Sequence, residues 1–454
     1  MKMKFIFTMM FVLLYLGMNK IYAQEQPQTN GDTISPKIEE VKKTIDQLKT
    51  DFDLLKRIKI SGYIQGQFQL ADLVGTKSYE GGDFSPASDK RFMVRRGRLK
   101  VAYVTDLTQF VIQIDATEKG FALKDAYASF TEPWLKSFGI TAGIFNRPFG
   151  YEIPYSSSLR ESPERGRMSQ ILFPGERDLG AEIVFNPPKT SRFNGIRLEA
   201  GIFSGNGINP DFKDIKDFIG RLSYTGATKN QFFKYGVGVS GYYGKLYQGT
   251  KYIYTMQTLK DGFTTGFGVD STSTNKGGYA NRIYYGVDAQ LTFAFPFGIT
   301  QLRGEYIMGQ QPAYDGSGST SPSDATYSKT PPTKDTYIRK FNGAYFYLVQ
   351  NIGKSKFGIV VKYDWYDPNM AVKGQDVKPT YTTTDGTTLT MHKTYMTAAD
   401  IKFQTLGFGF NYKMTENIKW TAYAAWVVNE KTAISGYGGD LTDNVYTLRL
   451  QYKF

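Results

Sequence analysis

From residue 58 onward the hydropathy of the chain repeats every second residue, and no other feature narrows the possible folds as far. Ile58, Ile60, Gly62, Ile64, Gly66, Phe68 and Leu70 alternate with Lys59, Ser61, Tyr63, Gln65, Gln67 and Gln69. Successive side chains of a strand point to opposite faces, so this run has one apolar face and one Lys/Gln face. Comparable segments follow at 91–105, 108–116, 121–130, 138–145, 178–185, 195–203, 218–225 and 232–244. Others lie at 281–295, 299–308, 341–350, 356–366, 402–413, 417–428 and 445–454, which brings the count to 16. Connections after even-numbered segments are short, such as Thr105–Thr108, Pro296–Gly298 and Met414–Glu416. Those after odd-numbered segments are long: 71–90, 146–177, 204–217, 245–280, 309–340, 367–401 and 429–444, with Thr117–Gly120 the short exception. Short turns at one rim, long loops at the other and an even count predict an all-β fold. The expected architecture is a 16-stranded antiparallel transmembrane β-barrel with periplasmic turns and extracellular loops.

A soluble sandwich also has many short strands. Here, however, the second face carries charge in numbers that a dry core does not hold: Arg197 with Glu199, Arg282 with Asp288, Arg303 with Glu305, Arg449 with Lys453. That face is expected to see water. The other face draws on 33 Tyr, 33 Phe and 4 Trp, residues suited to lipid contact and interfacial girdles. A mean hydropathy of −0.37 argues against a helical membrane protein. Cysteine is absent and the one histidine, His392, falls in a loop, which excludes disulfides, thiolate metal sites and His clusters. No metal, cofactor or catalytic residue is expected. A net charge of +13 with many aromatics suits nucleic acid in some chains, but the strand alternation and the N-terminal segment leave no room for that partner.

Lys2 and Lys4 precede an apolar stretch from Phe5 to Leu16, and Ile21-Tyr22-Ala23 stands before Gln24. This is the pattern of a secretory signal peptide, residues 1–23. Residues 24–35 are polar and aperiodic and predict a flexible leader. Ile38, Val41, Ile45, Leu48, Phe52 and Leu55 then recur at alternating spacings of three and four, an a/d heptad seam over 36–57. Three heptads are too few to be stable alone, so this periplasmic helix is expected to support an oligomer held elsewhere, or else to pack on its own barrel. The barrel domain takes 58–454. Its last strand alternates apolar residues and ends in Phe454, resembling the signature read by the barrel-assembly machinery.

A narrower resemblance rests on four segments: Phe92 to Lys100 with its Arg95-Arg96-Gly97-Arg98, Leu123-Lys124-Asp125-Ala126-Tyr127-Ala128, Gly143 to Gly150 with its Arg147-Pro148-Phe149-Gly150, and Pro174-Gly175-Glu176-Arg177-Asp178-Leu179-Gly180. In this order they are similar to the phosphate-selective porin family (O and P type) of the Gram-negative outer membrane. The resemblance covers the barrel and is strongest over 91–185. It implies a homotrimer in outer-membrane lipid and lipopolysaccharide, each barrel with its own pore, passing small anionic solutes without catalysis. It also implies that the third long loop, 146–177, folds inward and that basic side chains line the constriction.

The candidate selectivity residues follow. Arg96, Arg98 and Lys100 share one face of the second strand, about 6.6 Å apart, opposite Gly97, Leu99 and Val101. The inward loop offers Arg160, Arg165, Arg167 and Arg177, along with Arg147, against Glu152, Glu161, Glu164 and Glu176, so it is not purely basic. Further lumen charges are expected at Asp115, Asp125, Glu182, Arg197, Arg282 and Arg303. The ladder either stands free, where planar guanidinium groups suit phosphate oxygens, or is neutralised by Asp115, Asp125 and Glu182. Both arrangements stay open on the sequence, as do a weakly selective general porin and a receptor or adhesin acting through the long loops.

Overall fold

The structure, a computed structural model, describes residues 34–258, 265–315, 329–379 and 396–454. It also describes two short backbone segments, Tyr381–Thr382 and Thr388–Leu389. The expected signal peptide, most of the leader and His392 lie outside the described residues. The chain divides into two compact units, Met1–Lys56 and Arg57–Phe454.

Within the first unit, α1 (Ile34–Lys56) is one uninterrupted helix, two residues earlier at its start than the heptads suggest. The six seam residues are between 56% and 64% exposed, in the order of an unpartnered helix face.

The second unit is a closed barrel. Its wall is β1 (Ile58–Ala71), β2 (Lys90–Val104), β3 (Thr108–Thr117), β4 (Gly120–Thr131), β5 (Phe138–Asn146), β6 (Arg177–Phe185), β7 (Ile196–Phe203), β8 (Asp217–Ala227) and β9 (Phe233–Tyr247). A hairpin of β10 (Ile253–Thr258) and β11 (Thr265–Asp270) projects from the loop after β9, and the wall resumes with β12 (Tyr279–Phe295), β13 (Gly298–Tyr314), β14 (Thr336–Asn351) and β15 (Phe357–Asp367). A two-residue ribbon of β16 (Tyr381–Thr382) and β17 (Thr388–Leu389) precedes β18 (Phe403–Lys413), β19 (Ile418–Asn429) and β20 (Val445–Lys453). Every wall strand is antiparallel to its neighbours, and β20 pairs with β1, giving 16 strands and no free edge. The long and short connections fall as the period-two reading predicts.

Closure depends on a close approach at the seam. Phe454 exchanges backbone hydrogen bonds with Gly62 at 3.0 and 3.2 Å. A Cβ at Gly62 would stand 2.5 Å from the Arg98 carbonyl oxygen and 2.7 Å from the Phe454 ring, so only glycine fits there.

The outer face is apolar: Leu99, Val101, Ile112, Ile140, Leu222, Val239, Leu302 and Leu448 are all exposed in the single chain. Rings gather near the turns, as in the stacks of Phe293, Phe295 and Phe297 and of Phe357 with Tyr412. This belt on a closed 16-stranded wall makes the chain a Gram-negative outer-membrane barrel.

The wall is uneven in height. β3 to β8 have 8 to 12 residues, close to the roughly 9–11 needed to cross a bilayer. β9, β12, β13 and β14 have 15 to 17 and rise above it on the loop side. β10 runs parallel to the top of β14 there, and the loops enclose an apolar cluster including Tyr254, Phe267, Tyr337, Val377, Met396, Ile401 and Phe403.

Candidate functional site: a lumen divided by the third loop

The 146–177 loop enters the barrel and crosses it. At its start, Tyr151 and Glu152 donate their backbone N–H groups to Glu305 of β13 at 3.0 and 3.1 Å. Gly150 has φ +61°, and a Cβ there would collide with the same carboxylate. Further on, Asn411 of β18 donates to the Glu161 carbonyl (3.1 Å), Lys419 of β19 to the Arg160 carbonyl (2.9 Å), and Gln451 of β20 to the Ser158 carbonyl (3.0 Å). Tyr63 of β1 bonds Ser157 at 2.5 Å. The loop closes with a short helix, α2 (Arg167–Leu172), and returns to β6.

On the tall side the loop packs against the wall among the described residues. Phe149, Ile153, Met168, Leu172 and Phe173 pack with inward-facing Tyr242, Tyr284, Phe341, Tyr345, Tyr366 and Tyr423 in one buried cluster. The expectation that the charged inner face sees water therefore fails over this half. Its ionic groups are paired instead: Lys362 with Asp364 at 3.0 Å, Arg303 with Glu161, and Arg282 against Tyr242 and Asp217. Burial forces such pairing, because an unpaired charge out of water costs several kcal/mol.

Glu164 of the loop is 2% exposed. Arg95 donates to it twice (2.8 and 2.9 Å), Arg96 at 2.7 Å and Arg449 of β20 at 3.0 Å. Strict alternation would send Arg95 to the lipid. A bulge shifts the β1–β2 register, so that Gln65 faces Arg96 while Gly66 faces Val94, and Arg95 is the extra residue turned inward. Period-two reading misses Arg95 for that reason. Burial works against the charged carboxyl of Glu164, but the guanidinium groups of Arg95, Arg96, Arg449 and Arg160 outweigh it and hold the group well below the usual carboxylate range.

Within the wall of β1 to β8, which includes the short strands β3 to β8, a cavity of about 940 Å³ runs from the turn end to the loop. Lys136 and Asn186 line its turn end, and Tyr151, Tyr155 and Ser157 of the loop line it as well. Nine lining residues are cationic: Arg98, Lys100, Lys136, Arg147, Arg165, Arg177, Arg197, Arg221 and Lys453. Three are acidic: Asp125, Glu182 and Glu199. Arg98 donates to Asp115 at 3.2 Å, Arg177 to Asp125 at 3.0 Å, and both Arg165 and Arg177 pair with Glu176. Arg177 also lines a second cavity of about 240 Å³ with Lys124 and Pro174 to Gly175, which reaches residues of the loop after β7.

The candidate ladder is thus split. Arg98 and Lys100 stand on the cavity; Arg96 is turned to Glu164 above it. From the loop, Arg165 and Arg177 line the cavity. Arg167 lies over the rings of Phe403 (3.8 Å) and Tyr79 (4.7 Å), and Arg160 is buried beside Tyr155 and Tyr347. Gln65 and Gln67 face inward as expected but are buried, 1% and 4% exposed, Gln65 against Ser157 of the loop.

No protein-family model and no curated protein matches this sequence. Solved structures do resemble the fold. A high-pH structure of Pseudomonas putida OprB aligns with a TM-score of 0.52 at 11% identity, covering 90% of this chain and 97% of that one. An anion-selective porin from Comamonas acidovorans gives 0.49 at 11% identity, covering 87% of this chain and 99% of its own. The outer-membrane channel DcaP of Acinetobacter baumannii gives 0.47 at 12% identity, with 87% and 97% covered. At these identities the likeness speaks for the fold alone.

Proposed function

We propose that this chain is an outer-membrane diffusion porin that passes small hydrophilic solutes and favours anions. The observation that carries the reading is the charge of the open cavity, nine cations against three carboxylates. In a narrow water path between low-dielectric walls such an excess raises the local anion concentration. Arg98, Lys100, Arg165, Arg177 and Arg197 are the residues assigned to this field. Arg96 contributes by holding the loop, and the inward loop sets the size limit. The segments at 92–100, 123–128, 143–150 and 174–180 support a place near the phosphate-selective porins, with phosphate as one candidate solute. The exposed seam of α1 supports a homotrimer in which three such helices join as a coiled coil.

Ion pairs at Arg98, Arg177 and Arg221 favour a second, milder reading, a weakly selective porin. The reversal potential in a KCl gradient across a planar bilayer separates the two. A potential favouring chloride is expected; a value near zero selects the weakly selective porin, and one favouring potassium rejects anion preference. A purified, folded barrel that never conducts would reject the porin reading and return the long loops, as a receptor surface, to the front.

A further inference from the structure

Arg160 is 3% exposed, and its Nε, Nη1 and Nη2 atoms all lack a hydrogen-bond acceptor among the described residues. Nearby carboxylates are already committed. The oxygens of Glu164 accept from Arg95, Arg96 and Arg449. Glu161 pairs with Arg303, and Glu152 accepts from the Gly166 N–H, the Ser169 hydroxyl and the Tyr347 hydroxyl. The Nε of Arg303 is likewise without an acceptor. A buried guanidinium with no hydrogen-bond acceptor is costly enough that native proteins rarely keep one.

Arg160 and Arg303 meet at a small cavity on the inner side of the loop, completed by the rings of Tyr151, Tyr155, Tyr345 and Tyr347, with Glu152 the one carboxylate on its lining. Its volume of about 10 Å³ admits a single particle of water or halide size and no polyatomic oxyanion. The guanidinium of Arg303 is fixed there, 5.0 Å from the ring centres of both Tyr155 and Tyr347. Two buried arginines with donors to spare and room for one small particle make an anion cradle rather than a solute path.

We propose that the loop is seated on a bound halide, chloride in practice, held between the Arg160 guanidinium and Arg303 Nε. The ion is a structural ligand of the loop, separate from the solutes that cross the larger cavity. The site does not depend on the porin reading, because its occupancy is measurable without conduction. The purified full chain in detergent is unfolded thermally in sodium chloride, sodium bromide and sodium gluconate at matched ionic strength. A saturable rise of about 2 °C or more in chloride and bromide over gluconate is expected, and Arg160→Gln is expected to abolish the difference. Crystals grown in bromide are expected to give an anomalous peak beside Arg160. Equal unfolding temperatures in all three salts, with no anomalous peak, overturn the proposal; so does a halide effect that survives intact in Arg160→Gln. Should that variant fail to fold, the wild-type salt series and the bromide crystal still decide.

Discussion

Glu164→Gln is the sharpest perturbation of the divided lumen. The change keeps shape and volume but removes the charge on which Arg95, Arg96 and Arg449 converge from two strands either side of β1. Removing one partner of a buried ion pair costs about 3–5 kcal/mol, because the other partner is left uncompensated. The loop stays tethered through Glu305, Asn411 and Lys419, so the loss falls on its seating rather than on the barrel. At about 1.4 kcal/mol per tenfold, a displaced loop should become roughly 100-fold or more better populated. Single-channel recording is expected to show frequent excursions from the wild-type conductance level, and Glu164→Asp, too short to reach all three arginines, should do the same more weakly. Excursions within twofold of wild type in Glu164→Gln, with an unchanged unfolding temperature, would refute the clamp. The pH dependence has a definite sign. A carboxyl held below its ordinary value contributes stability that is complete above that value and is lost only as pH falls through the lower, folded-state value. The clamp is therefore expected to be indifferent to pH between about 8 and 5.

Asp443, in the loop before β20, behaves in the opposite sense: burial pushes its carboxyl up to about 6, so its ionised form opposes folding above that pH and the penalty fades as pH falls toward its unfolded value. Asp443→Asn is expected to stabilise the protein by roughly 1–3 kcal/mol at pH 7.5 and to do nothing at pH 4, checked by thermal unfolding at both. Lys100→Ala with Lys453→Ala, both on the open cavity, is expected to move the reversal potential toward cations; no shift would remove these lysines from the selectivity field. Single cysteines in a chain that supplies no background thiol test the faces: Gln113→Cys and Ser129→Cys should react with a water-soluble reagent, Phe110→Cys and Ile112→Cys should not, and equal reaction would reject the register. Deleting 34–55 is expected to lower the temperature at which oligomers dissociate in detergent while leaving conductance unchanged.

What the sequence makes legible here is whatever period two and loop length encode. Strand number, closure, the lipid face and the long loop between Asn146 and Arg177 all follow from those, since each rests on local alternation. The placement of Arg95 does not, because a bulge adds one residue and reverses the face without leaving a mark in composition. Nor does the coverage of Gln65 and Gln67. They lie on the inner face as alternation requires, but Gln65 is closed off by a loop some ninety residues away, and Gln67 is held by Arg449 of the last strand. The same blindness hides the fate of the tyrosines. Tyr242, Tyr284, Tyr345 and Tyr423 stand at inward positions, and a tyrosine suits a wet wall and a dry cluster equally well.

The uneven wall and the divided lumen have one cause. Strands of 15 to 17 residues on one side lift their loops clear of the membrane, where those loops bury apolar side chains against each other. Beneath them the third loop finds an aromatic surface and packs there, since burying those rings is worth about 25 cal/mol for each Å² removed from water. Opposite stand β3 to β8, barely long enough to cross and joined at the top of β3 by a two-residue turn. Among the described residues the large cavity lies there, lined by nine cations. Arg177 lies on both the 940 Å³ cavity and the smaller one above it. On the porin reading proposed above, a solute following these two cavities would pass beside the wall, past Arg177, and not down the axis. Arg177→Trp should then cut conductance steeply, whereas a Trp at Lys136, on the wider turn end, should leave it nearly unchanged. Equal conductance in the two variants would put the path elsewhere.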